Sequence, residues 1–367
     1  MSFRRLHIQF ALLVCVCAGA TSAQHKLDDG RRTKLESAVS KFMAQSSVPG
    51  ISVAIVEDGE EIWSEGFGMA DLENFVPATP KTLFRLASIS KSLTATGALQ
   101  LWERGKLDLD APVQKYCPAF PQKPSPITTR QVLAHLGGIR HYKSDSQEDA
   151  EVGNTKHFAD PITAGLDFFK NDPLVALPGT KFSYSTQGFT LVGCVMEGAS
   201  EKYADFMLKN VFRPARMMDT QPDDRLAIVP HRTRFYHKDD SGHVVNAEFL
   251  DSSYKLPGGG WLSSADDMAR FEAAILSDKL MKRTTREQMW TPQKLTNGTQ
   301  SDYALGWGTG KSLGVFDVGH GGGQQGTSTY FMIVPERRDG LVVLANMDGA
   351  DVSALAFELM KIVLSRN

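Results

Sequence analysis

Ser88 and Lys91, in Ser88-Ile89-Ser90-Lys91, are three residues apart, which places a hydroxyl and an amine on one face of a helix. Leu93, Ala95, Ala98, Leu99, Leu101 and Trp102 follow at helical spacing as far as Gly105, so Ser88 is expected at the first turn. Serine attacks carbonyls poorly unless a neighbour takes its proton. A lysine can take it when desolvation and nearby cations depress its basicity. The start of a helix adds partial positive charge and free N–H donors, useful to a developing oxyanion. Alone the spacing is weak evidence. Ser252-Ser253-Tyr254-Lys255 shares it but runs into Pro257-Gly258-Gly259-Gly260 rather than a helix. The helix singles out Ser88.

Two further elements have chemical potential. Tyr184, in Phe182-Ser183-Tyr184-Ser185-Thr186, precedes an apolar helix and can relay a proton to a leaving group; its plain alternative is a core tyrosine. His320-Gly321-Gly322-Gly323 lies before a strand, where glycines let backbone approach a ligand; its plain alternative is a glycine-rich turn. Other matches fail. Gly310-Lys311-Ser312-Leu313-Gly314 has nucleophile-elbow spacing, but it follows no oxyanion segment and precedes strand-like Val315-Phe316 instead of a helix. Gly308-Thr309-Gly310-Lys311-Ser312 resembles a phosphate loop, yet Leu305 stands where the first glycine belongs. His231, His237 and His243 are read as surface histidines, because a turn at Asp240-Ser241-Gly242 interrupts them. Neither a metal nor a cofactor is expected.

Several elements must position these groups. Lys34 to Ala44 has helical periodicity. Ile51, Val53 and Ile55 alternate with smaller residues up to Asp58-Gly59, and Ile62-Trp63 resumes, which predicts a β-hairpin. Tyr330 to Val334, a turn at Arg338-Asp339-Gly340, and Leu341 to Ala345 predict another, closed by a helix over Val352 to Leu364. The middle has proline-rich turns, short helical stretches and a polar segment, Ser144 to Lys156, read as a loop. The expectation is an α+β fold: an antiparallel sheet built from both chain ends and flanked by helices, with a largely helical inserted lobe. Residues 24–106 and 251–367 form the α/β lobe and 107–250 the helical lobe. A small-molecule site belongs in the cleft between lobes. The Ser144–Lys156 and Gln221–Leu250 segments are expected to wall it.

Lys plus Arg (40) nearly balance Asp plus Glu (42), so no broad basic field exists to attract nucleic acid or anionic lipid. Residues 1–23 are read as a cleaved export signal: Arg4 and Arg5, a short apolar run, then Ala18-Gly19-Ala20 and Thr21-Ser22-Ala23. A mitochondrial transit peptide is the alternative, and no stable membrane span is expected in the mature chain. Cleavage leaves Cys117 and Cys194. Cys194, within the apolar run Phe189 to Met196, is expected to be a buried free thiol. Asn297-Gly298-Thr299 is a glycosylation sequon in a eukaryotic host.

The ordered set of Ser-x-x-Lys at a helix start, Tyr-x-(Asn-like), then His-x-Gly before a late strand resembles the serine β-lactamase/penicillin-binding-protein superfamily. The likeness is to its class C-like branch, especially the mitochondrial serine β-lactamase-like type and its bacterial relatives. Leu83-Phe84-Arg85-Leu86-Ala87, Thr128 to Ile139 and Pro257-Gly258-Gly259-Gly260-Trp261-Leu262-Ser263-Ser264 agree with it. The resemblance implies an acyl-enzyme serine hydrolase with Ser88 as nucleophile. Lys91 and Tyr184 share the acid/base work, with the first base left open. It implies an oxyanion hole from the Ser88 and Gly323 N–H groups beside Gly322, and His320 in place of the third-motif lysine. Thr186 stands where penicillin-hydrolysing relatives carry Asn, and neutral His320 removes a permanent cation. Both departures favour a peptidase or esterase over a β-lactamase or D-alanyl-D-alanine carboxypeptidase. A non-catalytic scaffold with the same fold is the other class of function. Expected partners are peptide, ester or β-lactam-like small substrates, with a homo-oligomeric state also considered.

Overall fold

The computed structural model describes residues 27–144 and 151–366. The expected leader, 1–23, lies outside the described residues, as does 145–150 of the Ser144–Lys156 segment.

The main sheet has seven strands among the described residues: β1 Gly50–Glu57, β2 Glu60–Asp71, β3 Val76–Pro77, β4 Gly308–Gly310, β5 Asp317–Gln324, β6 Thr327–Val334 and β7 Asp339–Ala345. Its order is β3-β2-β1-β7-β6-β5-β4, antiparallel throughout, so the first hairpin pairs directly with the last. Asp58 and Gly59 have φ of 52° and 82°, the double positive that a tight two-residue hairpin requires.

Alternation divides the apolar side chains between two cores. Ile51, Val53, Ile55, Leu341 and Val343 face one core; Ala54, Val56, Val342 and Leu344 face the other. The first core is covered by helices α1 (Asp29–Ser46) and, last in the chain, the closing helix Val352–Leu364. Against the second pack α2 (Ile89–Glu103), α3 (Thr186–Ala199) and α4 (Ala265–Leu276), which makes Val352–Leu364 α5. From Ile89 to Leu101 every residue of α2 is buried, so a polar group on it can function only where the packing opens.

Besides α3, residues 107–250 carry short helices joined by turns and a hairpin (Tyr236–Lys238 with Val244–Asn246) that helical periodicity did not predict. Gln221–Pro222 pairs with Trp261–Ser263, which also pairs with Phe84–Arg85, and a buried Arg85–Asp223 ion pair at 2.7 Å reinforces that junction. This small sheet ties the Gln221–Asp223 segment to the strand that leads into Ser88.

The expected free thiol at Cys194 is corrected: Cys117 and Cys194 form a disulfide, with Cα atoms 5.5 Å apart. A Cβ on Gly198, one turn along α3, would collide with the Tyr116 carbonyl, so glycine there lets the helix approach the turn that carries Cys117. Cys194 is also only partly buried, whereas Cys117 is wholly enclosed; an apolar run does not report what a cysteine within it meets. Among the described residues no helix is long and apolar enough to cross a membrane, and no cluster of His, Cys, Asp and Glu suits a metal ion.

Candidate active site

Ser88 is the first residue of the turn into α2, with φ −67° and ψ −10°. The residue before it, Ala87, has φ +47°, a conformation costly for a side chain with a Cβ. Surrounding bonds hold that kink. Leu86 N–H donates to Trp261 O at 2.9 Å, and Leu86 O accepts from Thr329 Oγ1 at 3.0 Å. Strand β5 lies close behind, because a Cβ on Gly322 would collide with Leu86 O and Thr329 Oγ1. Gly322 is thus required for packing, whereas Gly323 faces open space and lines the crevice with Ser88.

Lys91 is wholly buried, with three partners for its amine: Ser88 Oγ at 2.9 Å, Thr186 Oγ1 at 3.1 Å and Gly258 O at 2.7 Å. Burial, and then the charge of Lys255, hold its pKa well below the ordinary lysine value. A neutral amine has two N–H bonds and one lone pair. The Gly258 carbonyl can only accept, and Thr186 takes the second N–H, which leaves the lone pair facing the Ser88 hydroxyl. A Cβ on Gly258 would crowd Thr186, so glycine there lets the carbonyl come close.

On the other side of Ser88 is Tyr184. Desolvation drives the pKa of its phenol above the usual tyrosine value, an effect that interaction with the Ser88 hydroxyl partly offsets. Its ring centroid is 4.9 Å from Lys91 Nζ. Ser185 caps α3, its Oγ accepting from Gly188 N–H at 2.8 Å and donating to Arg140 O at 2.6 Å. His135 grips the chain on both sides of Tyr184: its carbonyl accepts from Ser183 N–H at 2.8 Å and its Nδ1 from Ser185 N–H at 3.1 Å. The His135 ring lies 4.3 Å from that of Tyr184, and burial holds its pKa well below the usual histidine value. Thr186 N–H donates to His141 Nδ1 at 3.2 Å.

The structure therefore brings Ser88, Lys91, Tyr184 and Thr186 together, with Gly323 lining the same crevice. His320 is set apart. It does not line the crevice, and its ring centroid is 6.2 Å from that of Tyr184. Its Nδ1 is 2.6 Å from Gly321 O, which can only accept; Nδ1 therefore carries the proton and Nε2 accepts from the Tyr303 hydroxyl at 2.8 Å. Burial first, and the Lys91 charge second, push its pKa down to about 3. His320 supplies no cation at neutral pH.

The crevice has a volume of about 590 Å³ and includes Val152, His237 and Lys238 from the two segments expected to wall it. His237 is thus a lining residue rather than a plain surface histidine. Lys255 was not expected there. The set-aside Ser252–Lys255 stretch forms a single turn that delivers Lys255 to the wall, only 3% exposed, its ammonium over the rings of Tyr142 (5.6 Å) and Tyr254 (5.5 Å). The sequence signal was a lysine two residues before the Pro257–Gly260 run. For His135 the signal was its place in the Thr128–Ile139 segment, which says nothing of the grip on Tyr184.

A family model described as beta-lactamase matches residues 35–364. The human mitochondrial serine beta-lactamase-like protein LACTB is 32% identical over 415 residues, covering 85% of this chain and 76% of that protein. The octameric penicillin-binding protein homologue from Pyrococcus abyssi superposes with a TM-score of 0.79 at 28% identity, covering 92% of this chain and 78% of the other. A D-stereospecific amidohydrolase from Streptomyces superposes with a TM-score of 0.74 at 27% identity, covering 90% of this chain and 98% of the other.

Proposed function

The chain belongs to the beta-lactamase family of serine hydrolases, and from that premise we propose that it is a peptidase or esterase acting through an acyl-enzyme on Ser88. One observation carries the reading: the Lys91 amine, desolvated and held by two acceptors, has its third direction on Ser88 Oγ at 2.9 Å. Lys91 takes the Ser88 proton as Oγ attacks the carbonyl carbon. The Ser88 and Gly323 N–H groups receive the oxyanion. Tyr184, kept protonated by its raised pKa, donates to the leaving nitrogen or oxygen as the bond to that atom breaks, and the proton held by Lys91 then restores the phenol and the neutral amine. Water, giving its proton to Lys91, then attacks the Ser88 acyl ester; the ester bond to Oγ breaks, the proton passes from Lys91 to Oγ, and the acid product leaves. The opposed shifts of the two groups, amine down and phenol up, favour Lys91 as first base and Tyr184 as acid.

Peptidase or esterase is preferred to β-lactamase because Thr186 hydrogen-bonds Lys91 and lacks a side-chain amide. Exposed Leu226, Ile228 and Phe249 support a self-associated state, as does the octameric relative. The disulfide supports export to an oxidising compartment, whereas the mitochondrial relative supports the transit-peptide alternative.

Intact-mass analysis after exposure to a fluorophosphonate probe tests the reading. One adduct, absent from Ser88→Ala, is expected. No adduct on folded protein leaves the scaffold reading in its place.

A further inference from the structure

We propose that Lys255 is the anion-binding residue of the crevice, holding a substrate carboxylate, such as the free C-terminus of a peptide, beside the bond that Ser88 attacks. The inference rests on the hydrolase reading and adds the class of substrate.

A lysine removed from water normally has a carboxylate or hydrogen-bond acceptor to offset its desolvation. Lys255 is 3% exposed, yet among the described residues its ammonium has neither an ion pair nor a hydrogen bond, only the faces of Tyr142 and Tyr254. Those rings attract a cation while leaving its N–H bonds free to donate. Lys255 is part of the crevice wall, so a molecule that enters the crevice can complete the contacts of its ammonium.

Its position relative to the nucleophile is close. A Cβ on Gly259 would lie 3.7 Å from Lys255 Cδ, 3.6 Å from Gln324 Oε1 and 3.9 Å from the Ala87 carbonyl carbon, so these groups converge on one glycine at the turn into Ser88. Proximity is evident also in the lowering of the Lys91 pKa, to which Lys255 contributes after burial. The surrounding charges agree. Lys238 lines the same wall, and the single carboxylate among the described lining residues, Asp348, already accepts the Gly326 N–H at 2.7 Å. With His320 neutral and turned to Tyr303, the cation that an acidic substrate would need is present, but on a different segment.

The test uses two matched pairs of acyl thioesters. In one pair the leaving thiol ends in a carboxylate or its methyl amide; in the other the acyl group does. The ratio of kcat/KM within a pair is the readout, because any change in Lys91 ionisation cancels from it. We expect the carboxylate member of one pair to be favoured about tenfold or more in the wild type, through KM. Lys255→Met and Lys255→Gln should bring the ratio near one, and Lys255→Arg should keep part of it. A wild-type ratio near one in both pairs, or a preference unchanged in Lys255→Met, overturns the proposal. Labelling of Ser88 by a neutral fluorophosphonate is measured in each protein. An unlabelled wild type defeats the hydrolase reading itself, whereas labelling without carboxylate preference defeats only the role of Lys255.

Discussion

Tyr184→Phe removes one oxygen from the site and leaves nearly everything else in place. The ring contacts with His135 (centroids 4.3 Å apart), His141 (5.4 Å) and Lys91 Nζ (4.9 Å) are available to phenylalanine, and the Lys91–Ser88 bond at 2.9 Å does not involve the phenol. Stability should change by only about 1 kcal/mol, the net worth of one hydrogen bond. What is lost is a proton positioned at the leaving atom, and positioned acids contribute about 10²–10⁴-fold. That corresponds to roughly 2.7–5.4 kcal/mol of barrier. The loss must depend on the leaving group. An alkyl ester or amide needs the proton, so its kcat should fall by about that full range. A p-nitrophenyl ester expels a stable phenolate unaided, so the loss should stay under about tenfold, consistent with deletion of one hydrogen bond. Steady-state kinetics on both esters, with one acyl group, is the assay. An equal loss on both would mean that the phenol, not Lys91, takes the Ser88 proton, and the division of roles drawn from the opposed pKa shifts would be wrong.

Ser88→Ala should lower kcat by about a thousandfold or more, as when a nucleophile is removed from a concerted unit, and retained activity would reassign the nucleophile. Because the neutral amine of Lys91 is the active form, kcat/KM should rise with pH along an acid limb set by its depressed pKa. Removing the Lys255 charge in Lys255→Met should raise that pKa and move the limb to higher pH; a pH–rate profile with an unmoved limb would refute the coupling. The double variant Cys117→Ala/Cys194→Ala should lose about 2–4 kcal/mol in urea unfolding, since the bond closes a loop across 77 residues. Unchanged stability would show that the bond constrains little.

What the residues disclosed in advance followed from short-range geometry. The two hairpins were legible because period-2 alternation and positive-φ turn residues are local, and Asp58-Gly59 takes the predicted conformation. The closing helix was legible because its apolar stripe spans Val352 to Leu364, the same limits the structure has. Ser88 and Lys91 were legible because i and i+3 share a helix face. Tyr184, 96 residues away from Ser88 in sequence, was marked as a possible proton relay by its own segment but tied to Ser88 only through the family resemblance. No periodicity relates a tyrosine before α3 to a serine before α2, and their meeting depends on the short helix Leu256–Gly259 packing against both.

The same limit explains why the loss of a cation at His320 was legible but the presence of one at Lys255 was not. His320 occupies the sequence position where the resemblance puts a cation, yet a ring flanked by Gly321 O and the Tyr303 hydroxyl has both nitrogens engaged and no reason to hold a second proton. Lys255 was set aside because its spacing from Ser252 led to no helix, but a lysine need not be on the nucleophile's helix to face the nucleophile. Two buried lysines in one crevice repel, so each influences what the other can do. Lys91, wholly enclosed and given acceptors for two N–H bonds, suits a base. Lys255, given ring faces and an open direction, suits a cation awaiting an anion. Motif position names the candidates, and the atoms around each nitrogen divide the work between them.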